Sequence, residues 1–262
     1  MSRALRLDAA VAARTGMTRS QARSLIMEGR VRVDGIVATK AGQSAKSSAA
    51  IDVENPRRFV SRGGEKLDRA LDEFGIAASG VVALDVGAAT GGFTDCLLQR
   101  GAAHVTAVDV GYGQLDWGLR NDPRVRVMER TNFRLLADDA FPGGFDLIVV
   151  DASFISVRTI AARARAYLRP NAAIVALVKP QFEAGRERLG GGGVVRDPGV
   201  HRAILREVRD ALRERGLIAV ALTVSPLRGP AGNREFFMEL RSEGDCFDDA
   251  RIGDVLAESP PQ

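Results

Sequence analysis

Three observations predict an α/β chain, with a doubly wound sheet of Rossmann-like type preceded by a small α+β module. Beyond about residue 60, short apolar runs alternate with segments of helical period, the pattern of parallel strands joined by helices. The first of those runs passes directly into a glycine turn. Before residue 60, two helical segments with basic side chains give way to the strict alternation of short strands.

Composition removes the competing classes. With 45% hydrophobic and 27% charged residues among 262, the chain is ordinary for a globular protein, and fibrous or disordered readings fall away. The longest apolar runs, Leu147 to Val150 and Ala172 to Val178, fall far short of the roughly 18 residues of a membrane span. Met1 to Ala10 carries Arg3, Arg6 and Asp8 without a signal-type apolar core, so secretion by that route is not expected. Cys96 and Cys246 share no metal-ligand spacing, so no metal site is expected, and two free thiols fit a reducing cytoplasm. Net charge is +4 overall, but +6 falls in residues 1–60 and −2 in the remainder. That asymmetry suits a basic module that meets a polyanion, with a merely solvated basic face as the alternative.

Taken in order, Leu7, Ala10, Val11, Met17, Ala22, Leu25 and Ile26 recur at helical intervals broken near Gly16, which predicts two short helices. Thr18 is placed to cap the second, with Gln21 completing an imperfect capping box, and Arg19 and Arg23 share one face. Val31 and Val33, a turn at Asp34-Gly35, then Ile36, Val37, Ile51 and Val53 predict a small sheet. The run Arg6-Leu7-Asp8, Thr18 to Ala22, Ile26 and Gly29 to Gly35 resembles the S-four-type RNA-binding module, over about residues 3 to 54. The resemblance implies a helical face that docks on structured RNA through Arg6, Arg19, Arg23 and Arg30. Guanidinium groups suit that task, because they pair with phosphate in bidentate fashion largely without reading sequence.

Asn55-Pro56-Arg57-Arg58 reads as a linker. The expected domains are residues 1–55, a linker at 56–60, a catalytic domain at 61–245 and a tail at 246–262. A helix follows through Leu67, Ala70, Leu71 and Phe74, then a strand at Val81 to Val86 and the turn Gly87-Ala88-Ala89-Thr90-Gly91-Gly92 leading into a helix from Phe93. Glycines there let backbone amides approach a ligand closely. The next strand, His104 to Val108, ends at Asp109, an acid placed to accept from both hydroxyls of a ribose. A nucleoside-containing cofactor follows. The glycines do not make G-x-G-x-x-G, which weakens a nicotinamide reading. Asp85-x-Gly87-x-x-x-Gly91-Gly92 instead resembles the S-adenosylmethionine site of class I methyltransferases. That resemblance implies Asp85 near the amino acid moiety, Gly87, Ala88, Thr90, Gly91, Gly92 and Phe93 around it, Asp109 on the ribose, and Asn132, after the strand Val125 to Glu129, beside the adenine.

The strands Phe145 to Val150 and Ala172 to Val178 end at Asp151 and Lys179, at the carboxyl edge where ligands of open α/β sheets bind. Glu235 opens a last strand. Gly185 and Gly190 to Gly193 suggest a mobile lid, or equally a passive loop. Trp117 is expected to be packed, and His104 and His201, which lack catalytic spacing, to be structural or exposed.

Ser61-Arg-Gly-Gly-Glu-Lys66-Leu, Asp109-Val-Gly-Tyr-Gly-Gln-Leu, Glu129-Arg-Thr-Asn132, Asp151-Ala-Ser-Phe-Ile-Ser, Val178-Lys-Pro-Gln-Phe-Glu and Gly232-Asn-Arg-Glu235 together resemble the TlyA family of ribosomal RNA 2′-O-methyltransferases. That family is related in its catalytic domain to the FtsJ methyltransferases, and its members are often labelled haemolysins. The similarity runs from about residue 3 to 242. It implies a catalytic tetrad of Lys66, Asp151, Lys179 and Glu235, the cofactor S-adenosylmethionine, and cytidines of large-subunit and, given the complete stretch 3–30, small-subunit ribosomal RNA. The chemistry is coherent: methyl transfer to a 2′-hydroxyl needs an in-line approach and a group to take a poorly acidic proton. Lys179 is the candidate base, or an orienting group; a nearby sulfonium favours its neutral form, while Asp151 and Glu235 oppose it. Lys66 is placed to hold substrate ribose or phosphate. A membrane-active haemolysin and a catalytically silent RNA-binding assembly factor are the alternatives.

Overall fold

The computed structural model describes residues 5–27, 29–53 and 58–258. Arg3, Pro56 and Arg57 of the expected linker, the last four residues of the expected tail, and the side chain of Gln21 lie outside what is described. The chain separates into two compact units, residues 1–57 and 58–262.

The first unit runs β1 (Leu5–Arg6), α1 (Leu7–Thr15), α2 (Arg19–Met27), β2 (Val31–Val33), β3 (Ile36–Val37), β4 (Ser44–Ala45) and β5 (Ile51–Val53). Leu7, Val11, Ala22, Leu25, Ile26 and Val31 form its core, so the helical-period residues and the first strand close on one another. β2 pairs antiparallel with β3 on one side and β5 on the other. The hairpin turns at Asp34 and Gly35, both at positive φ (51° and 80°), the backbone a tight twisted hairpin demands.

The second unit continues with α3 (Arg62–Phe74), β6 (Val82–Val86), α4 (Gly92–Gln99), β7 (His104–Val108), α5 (Trp117–Arg120), β8 (Val125–Met128), β9 (Phe145–Val150), α6 (Val157–Ala164), β10 (Leu168–Val178), α7 (Pro180–Glu183), α8 (Pro198–Arg213), β11 (Ile218–Val224), β12 (Phe236–Arg241) and α9 (Asp249–Ala257). The strands form one sheet in the order β11-β12-β10-β9-β6-β7-β8, in which β12 alone runs against its neighbours. Helices cover both faces, so the central strands are mostly apolar: Ile148, Val150 and Ile174 enter one core, Leu147, Val149 and Val175 the other. Between β6 and β9 the strand order reverses, which opens a crevice at the carboxyl edge.

Four elements depart from expectation. β10 begins at Leu168 rather than Ala172, with its register to β9 broken between Leu168 and Ala173 around Pro170. β8 stops at Met128, and Glu235 sits just before β12 rather than inside it. Trp117, expected to be packed, is 77% exposed, because the short helix α5 buries only Leu119 and a residue two positions earlier lies on the opposite face. His201 is 2% exposed and meets the Phe236 ring edge-on at 5.6 Å; burial holds its pKa below the usual imidazole value. His104 is half-buried. Among the described residues no helix is long and apolar enough to cross a membrane.

Candidate active site

Crowding between strand ends dictates the glycine turn. Gly87 has φ +88°, and a Cβ there would stand 2.6 Å from the carbonyl oxygen of Asp151, so only glycine lets the ends of β6 and β9 meet. Gly91, at φ +95°, leaves no room either: a Cβ would lie 2.3 Å from Leu119 Cδ1. Beside this turn lies a cavity of about 580 Å³ lined by Gly87, Ala89, Asp109, Gln114, Asn132 and Asp151, with Ser153 and Phe154 also on its wall.

The Asp109 carboxylate is aimed by backbone alone. Its Oδ2 accepts from the Ala89 amide at 2.8 Å and its Oδ1 from the Gly111 amide at 2.6 Å, which fixes it at the end of β7. Glu129 accepts from the Gly113 amide and from Arg120, securing the loop that follows. Asn132 uses its Oδ1 to cap a short 3-10 turn at the Arg134 amide, 3.2 Å away. Asp85 is fully buried and accepts from the Thr94 hydroxyl at 2.7 Å. Burial pushes its pKa up to about 7, against the pull of the Thr94 bond, and Asp151 nearby adds to the rise.

Of the residues expected at the cofactor, Gly87, Asp109, Asn132 and Asp151 share the cavity, whereas Asp85, Thr90, Gly91, Gly92 and Phe93 are not on its wall. Asp85 is sealed beneath the turn, which does not fit direct contact with an amino acid moiety. Phe93 packs into the core against Phe237, with ring centroids 6.1 Å apart. Ala88 backs a small recess beside the Asp109 to Gln114 loop, and the Thr90 carbonyl accepts from the Asp116 amide.

The four tetrad positions resolve into two ion pairs at one edge. Lys179 leaves the end of β10, and its Nζ lies 2.6 Å from Asp151 Oδ1 and donates to Ser153 Oγ at 2.8 Å. Lys66, from α3, donates to Glu235 Oε2 at 2.6 Å with both side chains almost dry. Val178 is in register with Phe236, so Lys179 and Glu235 flank the next position of the same ladder. The expected lid is tethered at its far end: Asn233, two residues before Glu235, donates to the Gly193 carbonyl and accepts from the Val195 amide. Ser153 and Glu183 were missed by sequence reasoning; the one available signal was a polar residue three positions beyond the end of an apolar strand.

In the first unit Arg6 and Arg19 converge on Asp8, a buried carboxylate that receives Arg6 Nε and Nη2 and Arg19 Nη2 at 2.9 to 3.3 Å. The Arg6 hydrogen bond, reinforced by Arg19, holds the Asp8 pKa at about 2 against the upward push of burial. Both arginine side chains stay about 60% exposed, Arg23 is exposed and Arg30 is half-buried.

A mostly parallel sheet of this order with one reversed strand and a crevice at its switch point is the fold of class I methyltransferases. Comparison with known proteins narrows the class. The chain belongs to the FtsJ-like methyltransferase family, whose model matches residues 59–242, and an S4 domain model matches residues 5–51. It is 49% identical, over 94% of its length and 92% of the relative's, to a Mycobacterium tuberculosis protein named 16S/23S rRNA (cytidine-2'-O)-methyltransferase TlyA. It is 40% identical to the Hemolysin A of Brachyspira hyodysenteriae, over 84% of this chain and 92% of that one. A solved Streptococcus thermophilus structure that carries the hemolysin name superposes with a TM-score of 0.75 at 38% identity, covering 98% of this chain and 96% of that one.

Proposed function

We propose that this chain is a cytoplasmic, S-adenosylmethionine-dependent 2′-O-methyltransferase of cytidine in ribosomal RNA, acting on the large and the small subunit. The observation that carries the reading is the Lys179–Asp151 contact, whose carboxylate lines the cavity that also holds Asp109. S-adenosylmethionine, when bound, supplies a methyl group activated on a sulfonium. The residues present fit such a group: the backbone-held Asp109 carboxylate accepts from ribose hydroxyls, Asn132 lines the adenine side, and Gly87 lets the main chain close in. Asp85, Ala88, Thr90, Gly91, Gly92 and Phe93 shape the turn from beneath.

Lys179 faces the 2′-hydroxyl. Its Nζ would take the hydroxyl proton as the methyl group is transferred, while Asp151 and Ser153 fix the direction of Nζ. Lys66 and Glu235 brace the adjoining floor. Arg6, Arg19, Arg23 and Arg30 contact phosphates of structured RNA, with Asp8 presenting the first two. The domain at 61–245 does the chemistry and the module at 1–55 does the docking.

Transfer of labelled methyl groups into isolated large and small ribosomal subunits, by the wild-type chain and by Lys179→Ala, tests the reading. Label that disappears in the variant supports it, and the labelled subunit assigns the target. Cofactor binding without any transfer to subunits or ribosomes points to a silent assembly factor. Liposome lysis that survives Lys179→Ala points to a membrane-active protein.

A further inference from the structure

Glu183 is a buried carboxylate, 5% exposed, to which the reaction described above gives no role. It closes the short helix α7, which starts immediately after Lys179 with Pro180 at its first position. Its three contacts all reach the start of α6, beyond the segment that follows β9. Oε1 accepts from the Val157 amide at 2.7 Å, and Oε2 accepts from the Ser156 hydroxyl at 2.7 Å and from Arg158 Nε at 3.2 Å.

Those three donors end the segment that leaves β9 at Asp151 and carries Ser153, the acceptor for Lys179. The segment is pinned at its near end too, where the Asp151 amide donates to the Val86 carbonyl at 3.0 Å. Between the pins, Phe154 holds φ +64°, a left-handed backbone that a bulky side chain keeps only where its surroundings enforce it. A buried charge is costly unless fully hydrogen-bonded, and a plain helix cap can be made by an exposed serine. Here a carboxylate is spent on joining the first turn after Lys179 to the last residues after Asp151.

We propose that Glu183 is a positioning residue for methyl transfer: by tying α7 to the start of α6 it sets the Ser153 hydroxyl against Lys179 Nζ. Glu183 touches neither cofactor nor substrate and acts through Ser153. The proposal rests on the catalytic reading of Lys179 and Asp151.

The test is a double-mutant cycle on the full chain, measuring kcat and KM for methyl transfer to ribosomal subunits with wild type, Glu183→Gln, Ser153→Ala and the double variant. Glu183→Gln keeps size and one acceptor, so the fold is retained where Glu183→Ala fails to fold. A displaced base costs up to about 100-fold in rate, and the expected loss for Glu183→Gln is roughly 10-fold or more in kcat, with KM within about 3-fold. Because the effect passes through Ser153, the same change made on Ser153→Ala costs no more than about 2-fold further. Wild-type kcat in Glu183→Gln, or losses that multiply in the double variant, overturns the positioning role. Full transfer by Lys179→Ala overturns the catalytic reading instead, so the two failures are distinguishable.

Discussion

Lys66–Glu235 and Lys179–Asp151 are ion pairs of the same length, 2.6 Å, set in different surroundings. The Glu235 side chain is 1% exposed and that of Asp151 25%. The first pair also ties a helix to the sheet across the whole domain, whereas the second joins neighbouring strand ends and shares its lysine with Ser153. Burying both charges incurs a desolvation cost that the attraction barely offsets, so a dry pair adds little net stability but is damaging to break. The Asp151 carboxylate, on the cavity wall, keeps access to water and to a reactant. The two lysine side chains are equally buried, each 11% exposed, so the pairs differ in their carboxylates and in the Ser153 contact, and it is the proposed reading that places chemistry on the Lys179 pair.

The largest effect separates the two on activity. Lys179→Ala lowers methyl transfer by about a thousandfold, within the usual span for loss of a proton-transfer group, and leaves the thermal midpoint near wild type. A parallel fall in midpoint breaks the comparison. On stability the ranking inverts: Glu235→Ala, by stranding Lys66, loses about 3 to 5 kcal/mol in urea unfolding, and Asp151→Ala less, because Lys179 keeps its bond to the Ser153 hydroxyl. Replacing Lys66 and Glu235 together with apolar residues of similar volume restores most of that stability.

Two further carboxylates sharpen the contrast, since neither has a cation. Asp109 is held only by amides, and Asp109→Ala raises the calorimetric Kd for S-adenosylmethionine by roughly 10- to 100-fold, the worth of hydrogen bonds to a charged group. Asp85 is raised by burial from the ordinary carboxylate range to about 7. A group raised on folding contributes stability that is complete below its unfolded pKa, about 4, and is lost as pH rises through about 7. Denaturant unfolding from pH 4 to 8 therefore shows a downward component in wild type that Asp85→Asn removes; an unchanged slope refutes it. The smallest effect falls on the exposed pairs of the first unit. Arg19→Ala, whose partner Asp8 stays paired with Arg6, reduces the salt slope of RNA binding by about one.

Much of this architecture was legible because its cues are local. The apolar runs, the turn at Gly87 and Gly91, and the acids and bases that end β7, β9 and β10 all lie within a few residues of the feature they announce. The Asp34-Gly35 hairpin is legible for the same reason. Trp117 was misjudged because a four-residue helix has too little periodicity to say which face is covered. The early start of β10 was hidden by Pro170 and Asn171, which read as turn residues yet sit where its register to β9 is broken. Motifs named Lys66, Asp151, Lys179 and Glu235 as a set but not their division into two pairs, which depends on strand order across the sheet. Ser153 and Glu183 escaped for a related reason: each meets its partner only because β9 and β10 are neighbours, a fact no local window contains.

The reversed direction of β12 has an architectural consequence. In the parallel strands the carboxyl end reaches the crevice, but in β12 the first residue does, so the chain that leaves that edge at Lys179 comes back to it at the end of β11 and enters β12 from the same edge. The loop between Lys179 and α8 can lengthen or shorten without shifting the ladder of β10, β12 and β11. The glycine-rich stretch at Gly190 to Gly193 is therefore the natural port for an inserted sequence, a place where target range could be re-engineered while the reacting groups stay where they are.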